Sequence, residues 1–417
     1  ELEQAVLDWL VRSLGLPEHF LNSHDGPGCG IIQNTASDAT YVALLAARAR
    51  AIEDIKENSP SFRGWAEHAL ESESLLSTIT AISAKLHHND EEMAKYGDDY
   101  VHPHFHDPSV FEKFVAYTAD QANSSVEKDV LLCGVKLRKL RTTKESLLGN
   151  YTVTAETLEA AIKEDRARGL IPFVFVATMG YTTTCGVDFV KDVGPVCNRE
   201  RLWLHVDAAY AGSYLICPEF RELLGTGMET VDSFNFNAHK TLMTNFDCSP
   251  MWFKDGQRAS KFFSIDPIYL KHVDGGTDYR NLQIALGRRF RSLKLWFVLR
   301  AIGVAGLQDN LRTMNARAEQ FASLVSQDDD FELFVPYFLG LVCFRMANST
   351  DEQNELLMES ISSDGRLYLV PGHAEGVFYL RFAVCTTNTT EDDVRFAFKL
   401  IKELAQPILQ NDVNKSS

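Results

Sequence analysis

Ser233-Phe-Asn-Phe-Asn-Ala-His-Lys240 is a short run in which polar and aromatic residues alternate ahead of a single lysine. Alternation of this kind predicts a buried strand, so we expect Lys240 to lie at the end of a strand in the core. Burial next to His239 lowers the pKa of a lysine amine and makes it a candidate for Schiff-base formation. The stretch therefore predicts both a core strand and a reactive amine.

A second strand is predicted upstream, at Leu202-Trp-Leu-His-Val-Asp207, and it ends in a carboxylate. Asp207 precedes the lysine by 240 − 207 = 33 positions. A carboxylate in that place can partner a pyridinium nitrogen, which is the usual companion of a lysine that holds pyridoxal phosphate. The two strands together indicate a site for this cofactor.

The motifs His205-Val-Asp-Ala-Ala-Tyr-Ala-Gly212 and Asn237-Ala-His-Lys240 resemble those of the group II pyridoxal-phosphate-dependent decarboxylases, in the aromatic L-amino acid decarboxylase branch. The resemblance runs from Glu1 to about Gln406. It implies pyridoxal 5'-phosphate, an aromatic L-amino acid substrate and a homodimer. It also implies an α/β fold of type I (aspartate aminotransferase-like), with a mainly parallel seven-stranded sheet and a small C-terminal α+β domain.

The order of predicted elements agrees with that fold class. A buried strand at Ile171 to Thr178 and the strands at 202 to 207 and up to about Phe236 alternate with helices, which is typical of a parallel sheet. We expect a cofactor-binding domain over 1–290, linking helices over 291–330, a small domain over 331–410 and a polar tail over 411–417. The linking part is expected as one helix from Leu293 to about Ala316 and another to Val325, and the small domain is expected to contain a strand at Leu367 to Val370.

The chain opens on an amphipathic helical pattern that breaks near Gly15-Leu-Pro17. The family carries a long N-terminal helical segment that wraps the partner subunit, and this sequence has no counterpart to it. We expect that the sequence lacks this segment of a longer protein. The alternative is a protein that is genuinely shorter than its family.

Composition narrows the classes of function. The formal net charge of −16 disfavours nucleic acid or an anionic membrane surface as the main partner. No stretch approaches the roughly 20 apolar residues of a membrane span, and Glu1 does not begin a secretory signal. Eight scattered cysteines without a Cys-x-x-Cys pair are typical of reduced packing residues. The expected location is the cytoplasm.

A glycine-rich segment, Gly26-Pro-Gly-Cys-Gly30, leads into a predicted helix from Ala39 to Ala51. A helix N-terminus binds phosphate through its free N–H groups. No clear strand is predicted before this segment, its spacing is not Gly-x-Gly-x-x-Gly, and a plain N-cap is the simpler interpretation. By resemblance, Ala36 and Ser37 hold the cofactor phosphate with help from Ser233, Asn237 and His239. Asn34 stands where the family usually has glycine.

Three histidines alternate at His102, His104 and His106. On an extended strand they would point the same way, which allows a metal site. Pro103 interrupts regular pairing, and no carboxylate or cysteine completes the set. We predict a solvated loop and no metal site.

Asn123 is the most informative departure from the family. The family normally has a histidine there, which stacks on the cofactor ring and helps to deliver a proton after decarboxylation. The insect aldehyde-forming members have asparagine instead. The alternative is a neutral replacement that leaves the chemistry unchanged. By the same resemblance, Thr182 lies close to the cofactor and Ala209 packs under its ring.

Tyr269 matches the family tyrosine that protonates the substrate carbon, and the adjacent Gly275-Gly276 pair predicts a mobile loop. These residues support three hypotheses. The first is decarboxylation coupled to oxidative deamination, with O2 as co-substrate and an aromatic acetaldehyde, CO2, NH3 and H2O2 as products. The second is an ordinary amine-forming decarboxylase, and the third is a catalytically impaired relative with a binding role. The preferred aromatic amino acid is not determined by the sequence.

Overall fold

Apolar strands and amphipathic helices alternate through most of the chain, and they fold into one large sheet covered by helices. The computed structural model describes residues 1–23, 25–57, 62, 73–93, 95, 108–264 and 278–413. The predictions for Tyr269, His102, His104 and His106 lie outside the described residues.

The strands of the described residues belong to three sheets. They are β1 Cys29–Gln33, β2 Phe114–Ala119, β3 Lys136–Leu140, β4 Thr143–Lys144, β5 Tyr151–Thr152, β6 Ile171–Thr178, β7 Trp203–Asp207, β8 Ser233–Asn235, β9 Ser249–Phe253, β10 Phe331–Leu333, β11 Leu341–Met346, β12 Val370–Ala374 and β13 Val377–Ala383.

The α-helices of the described residues flank these sheets. They are α1 Leu2–Leu14, α2 Ala36–Glu57, α3 Glu73–Met93, α4 Pro108–Phe111, α5 Ser124–Cys133, α6 Ala155–Ala167, α7 Val190–Arg199, α8 Pro218–Leu224, α9 Ala238–Thr241, α10 Gly256–Lys261, α11 Arg291–Ser326, α12 Asp351–Asp364 and α13 Glu391–Val413.

The central sheet has seven strands in the order β1-β9-β8-β7-β6-β2-β3. Strands β8, β7, β6, β2 and β3 pair in parallel, and β9 runs antiparallel to both of its neighbours. The prediction of a mainly parallel seven-stranded sheet is therefore confirmed. Every residue of β6 and β7 is buried, because helices cover both faces of the sheet.

The glycine-rich segment contains a strand that the sequence did not predict. Strand β1 pairs with β9, with Cys29 opposite Phe253, and α2 begins at Ala36 rather than at Ala39. Glycine weakens strand propensity, so this strand depends on a partner more than two hundred residues away. At Gly30 a side chain would meet the ring of Trp252 at 2.8 Å, so close packing of the two strands requires glycine.

The second sheet is antiparallel, in the order β10-β11-β13-β12. One of its two edge strands is Val370–Ala374, so the predicted strand at 367 to 370 was placed several residues too early. Helix α11 extends from Arg291 to Ser326 and breaks at Gly303, where φ is +69°. The predicted break near Ala316 was therefore wrong, and the glycine provides the reason. The domain limits at 290 and 330 stay a prediction.

Within the described residues, no helix combines the length and the apolar character that crossing a bilayer requires.

Candidate active site

The carboxyl ends of β6, β7 and β8 lie side by side at one edge of the central sheet. Thr178 and Asp207 are register partners, and Asp207 is in turn the partner of Asn235. Open α/β sheets bind ligands at such an edge. A cavity of about 250 Å³ opens there. Its lining includes nine predicted site residues, which are Ala36, Ser37, Asn123, Thr182, Asp207, Ala209, Asn237, His239 and Lys240.

Lys240 lies in a short helix rather than at the end of a strand. Strand β8 ends at Asn235, and Lys240 belongs to α9, with its N–H donated to Asn237 O at 3.0 Å. The surrounding protein lowers the pKa of its amine, mainly through desolvation; Asp207 opposes that shift and the charge of Arg381 adds to it. A larger unprotonated fraction of the amine favours attack on a carbonyl.

Asp207 ends β7 and faces the same cavity. Its Oδ1 accepts the N–H of Ala209 at 3.0 Å, which fixes the carboxylate and the turn that follows it. Burial raises the pKa of Asp207, whereas the Lys240 charge and the Ala209 N–H lower it. A cationic ring nitrogen would satisfy this buried carboxylate better than the lysine alone.

Asn123 is the N-cap of α5 and contacts the loop that carries Thr182. Its Oδ1 accepts the N–H of Ser125 at 3.0 Å, and its Nδ2 donates to Thr182 Oγ1 at 2.9 Å. Both ends of the amide are thus held. The two predicted residues, from segments about sixty positions apart, form one wall of the cavity.

An anion site is available at the N-terminus of α2. The first N–H groups of a helix have no partner inside the helix, and Ala36 and Ser37, the first two residues of α2, line the cavity. His239 lies at the same cavity, with Nδ1 2.9 Å from Cys248 N. The same Nδ1 lies 3.0 Å from Cys248 O, so both backbone groups of Cys248 hold the ring in place. Desolvation lowers the pKa of His239 and favours the neutral ring.

Ser233 does not reach the cavity, which corrects its predicted contact with the phosphate. Its Oγ lies 2.8 Å from both Trp203 Nε1 and His205 Nδ1, and the residue is fully buried. Ser233 pairs with His205, and residues two apart on a strand point to the same face, so Ser233 shares a face of the sheet with Asp207. That face packs against α2, where His205 contacts Thr40. Ser233 lies two residues before the end of β8 and therefore away from the edge that holds the cavity.

The sequence did not single out several residues of the cavity wall. Among them, Thr178 is the last residue of β6, and Phe246 lies edge-on to the His239 ring, with the centroids 4.8 Å apart. The sequence could have identified Thr178, because it ends a predicted strand. It could not have placed Phe246, because the position of that residue depends on its neighbour Asp247. The Asp247 carboxylate forms ion pairs with Arg291, Arg289 and Lys294.

Two buried polar atoms at the cavity have no partner in the described structure. They are Thr178 Oγ1 and Asn237 Oδ1. Buried polar groups are normally paired, so these atoms indicate a polar ligand. A free amine, a buried carboxylate and a helix N-terminus suit a ligand with a carbonyl, a basic ring nitrogen and a phosphate. The residues present therefore fit pyridoxal phosphate.

No group of His, Cys, Asp or Glu side chains in the described part of the chain is arranged to hold a metal ion.

Comparison with known proteins gives a consistent result. The family model of the pyridoxal-dependent decarboxylase conserved domain matches residues 1–98 and 69–347. Aromatic-L-amino-acid decarboxylase of Mus musculus is 44% identical over 414 residues, which cover 98% of this chain and 76% of the relative. The protein of the same name from Drosophila lebanonensis is 43% identical over 407 residues, covering 97% and 89%.

Solved structures agree with the sequence relatives. Oryza sativa TDC with PLP and tryptamine superposes with a TM-score of 0.79 at 35% identity, covering 98% of this chain and 76% of that one. Rhodiola rosea 4-hydroxyphenylacetaldehyde synthase superposes with a TM-score of 0.76 at 31% identity, covering 98% and 75%.

Proposed function

This chain belongs to the pyridoxal-dependent decarboxylase family and is a pyridoxal-phosphate-dependent carboxy-lyase. We propose that it decarboxylates an aromatic L-amino acid and couples this step to oxidative deamination, before an amine is formed. One amino acid, one O2 and one water would give one aromatic acetaldehyde with CO2, NH3 and H2O2. The observation that carries the proposal is Asn123, held in the cavity wall by Thr182 and Ser125.

Three residues would hold the ring end of the cofactor, and four others would hold its phosphate. Lys240 would bind it as a Schiff base, Asp207 would hold the proton of the ring nitrogen, and Ala209 lies in the cavity wall next to Asp207. Ala36, Ser37, Asn237 and His239 would hold the phosphate. When bound, the cofactor supplies a protonated ring that accepts the electron pair left behind as carbon dioxide departs.

The fate of the substrate carbon depends on proton delivery. A side-chain amide neither gains nor loses a proton near neutral pH, so Asn123 cannot act as the general acid in the cavity wall. General acids contribute about 10²- to 10⁴-fold in rate. Without that contribution, the electron-rich carbon is exposed to O2 for longer, and oxidation competes with protonation. Tyr269 would remain as a slower proton donor in this proposal.

The direct test is to measure O2, CO2, amine and H2O2 together, with phenylalanine, tyrosine, dopa, tryptophan and histidine as substrates. We expect about one O2 consumed for each CO2 released with the preferred aromatic substrate. Decarboxylation without oxygen uptake or peroxide would refute the aldehyde-forming reaction.

The second candidate is an ordinary amine-forming decarboxylase. The relatives from mouse and Drosophila favour it, since both are named aromatic-L-amino-acid decarboxylases. The same measurement separates the two candidates, because only amine formation leaves the O2 concentration unchanged.

We also propose a homodimer. Apolar side chains are exposed along the start of α11 and beside the cavity, with Phe290 64%, Phe297 58% and Phe246 74% exposed. Exposed apolar surface marks interaction sites, and a second copy that covers these side chains would also close the cavity next to Phe246. Light scattering should give twice the chain mass. A stable, active monomer would contradict the proposal.

A further inference from the structure

Asp129, on helix α5, is a buried carboxyl that the proposed reaction does not use. It is 4% exposed, whereas its neighbours Glu127 and Lys128 are exposed. Its Oδ2 has no hydrogen-bond partner among the described residues, and no described cation lies within ion-pair distance of it. An unpaired buried carboxylate is costly, and such a group normally takes up a proton instead.

The charged groups nearest to Asp129 make its ionisation harder. Burial is the largest cause that raises its pKa, to about 7, and the negative charges of Asp38 on α2 and Asp207 on β7 add to the effect. The positive charge of Lys128 acts in the opposite direction. Asp129 therefore changes its protonation state close to neutral pH.

Cationic side chains of the neighbouring helix and strand contact other groups. On α2, Arg48 donates to Cys133 O and lies over the ring of Phe111. On β3, Lys139 pairs with Glu127, and Arg138 pairs with the carboxylates of Glu164 and Asp165.

The remaining titratable neighbours are neutral groups. Tyr41 on α2 and Cys133 on α5 both have raised pKa values, in each case chiefly through burial. Neither can compensate a negative charge on Asp129.

The position of Asp129 links this proton to the cavity. Helices α2 and α5 pack against each other, and each presents its N-terminus to the cavity. The N-terminus of α2 carries Ala36 and Ser37, and α5 is capped by Asn123. A charge buried between these helices weakens the contact that holds both N-termini in place.

We propose that Asp129 is a proton-controlled lock on the contact between α2 and α5, which keeps the cofactor-binding N-termini in place when protonated and loosens them when ionised. The inference rests on the proposed placement of the cofactor at Ala36, Ser37 and Asn123. It assigns Asp129 a positioning role and no contact with substrate or cofactor.

The experiment measures release of pyridoxal phosphate from the holoenzyme at about pH 6 and about pH 8.5, where Asp129 is mainly protonated and mainly ionised. It compares the native protein with Asp129→Asn, Asp129→Ala and Asp192→Asn. Both Asp129 variants remove the titrating charge, and two are used because either one alone could disturb packing. Asp192 is an exposed carboxylate on α7 and serves as the matched control.

We expect the native protein and Asp192→Asn to release cofactor faster at the higher pH than at the lower pH. The ratio of these two release rates should exceed the ratio in the Asp129 variants by on the order of tenfold. Hydrogen exchange of the α5 amides should follow the same pattern. An equal pH ratio in all four proteins would overturn the lock and leave the proposed function standing. A native protein that forms no Schiff base at either pH would overturn the cofactor placement and the lock with it.

Discussion

The amide of Asn123 donates a hydrogen bond from Nδ2 to Thr182 Oγ1 at 2.9 Å, while its Oδ1 caps helix α5 at Ser125 N. The side chain is therefore fixed at both ends, and it offers the cavity one remaining N–H and no titratable proton. This relationship joins a helix N-terminus to the loop after β6 and sets the chemical character of the cavity wall.

Replacing Asn123 by histidine should move the products from aldehyde toward amine. An imidazole titrates near neutral pH and can supply the proton that the amide cannot. We expect O2 consumed per CO2 to fall by roughly tenfold or more. Asn123→Ala is the control, because it removes the amide without adding an acid. Unchanged oxygen uptake in Asn123→His would show that this residue does not decide the product.

Replacing Lys240 by alanine should abolish the visible absorption of the protein-bound Schiff base. The amine is the group placed to form that bond, and burial favours its unprotonated state. We expect decarboxylation to fall by at least about 10²-fold. Lys163→Ala, at an exposed position of α6, is the matched control. A Lys240→Ala protein with the native absorption spectrum would refute the assignment.

Replacing Ser233 by alanine should destabilise the protein without weakening cofactor binding. The change leaves Trp203 Nε1 and His205 Nδ1 without their buried partner, which costs about 1–3 kcal/mol of unfolding free energy. Ser37→Ala should behave in the opposite way, with weaker cofactor binding and little change in stability. Urea unfolding and cofactor titration of both variants provide the measurements. A large loss of cofactor affinity in Ser233→Ala would contradict the position described for this side chain.

The stability of the cofactor-free protein should depend on pH through Asp129. Its pKa of about 7 in the folded state lies above the ordinary value of 3.8, so the unfolded chain loses this proton first. Stability therefore falls as pH rises from about 4 to about 7 and stays low above that range.

Asp129→Asn removes the ionisable carboxyl and therefore this loss of stability at higher pH. We expect it to match the native protein near pH 4 and to exceed it by a few kcal/mol near pH 8, as measured by urea unfolding at several pH values. A constant difference between the two proteins across this range would contradict the prediction.

The local order of residues was enough to predict the main sheet and its chemistry. Strand β6 is apolar up to Thr178, and β7 is apolar apart from His205 and its last residue, Asp207. Such short apolar runs predict buried strands without knowledge of their neighbours. Lys240 and Asp207 were recognisable because each follows or ends a predicted strand, and strand ends meet at one edge of a sheet. The family motifs around them are local as well, so the sequence alone carried the cofactor and the carboxy-lyase activity.

Other features depended on contacts between distant segments. Strand β1 exists because it pairs with β9, and its own glycine, Gly30, opposes strand formation. Ser233 looked like a site residue, yet it lies two residues before the end of β8, where Trp203 and His205 are its buried partners. The sequence by itself determined which chemical groups this protein carries at its strand ends. Only the tertiary structure decided which groups face the cavity, and that Asp129 is buried near Asp207, since burial and orientation are properties of the packed chain.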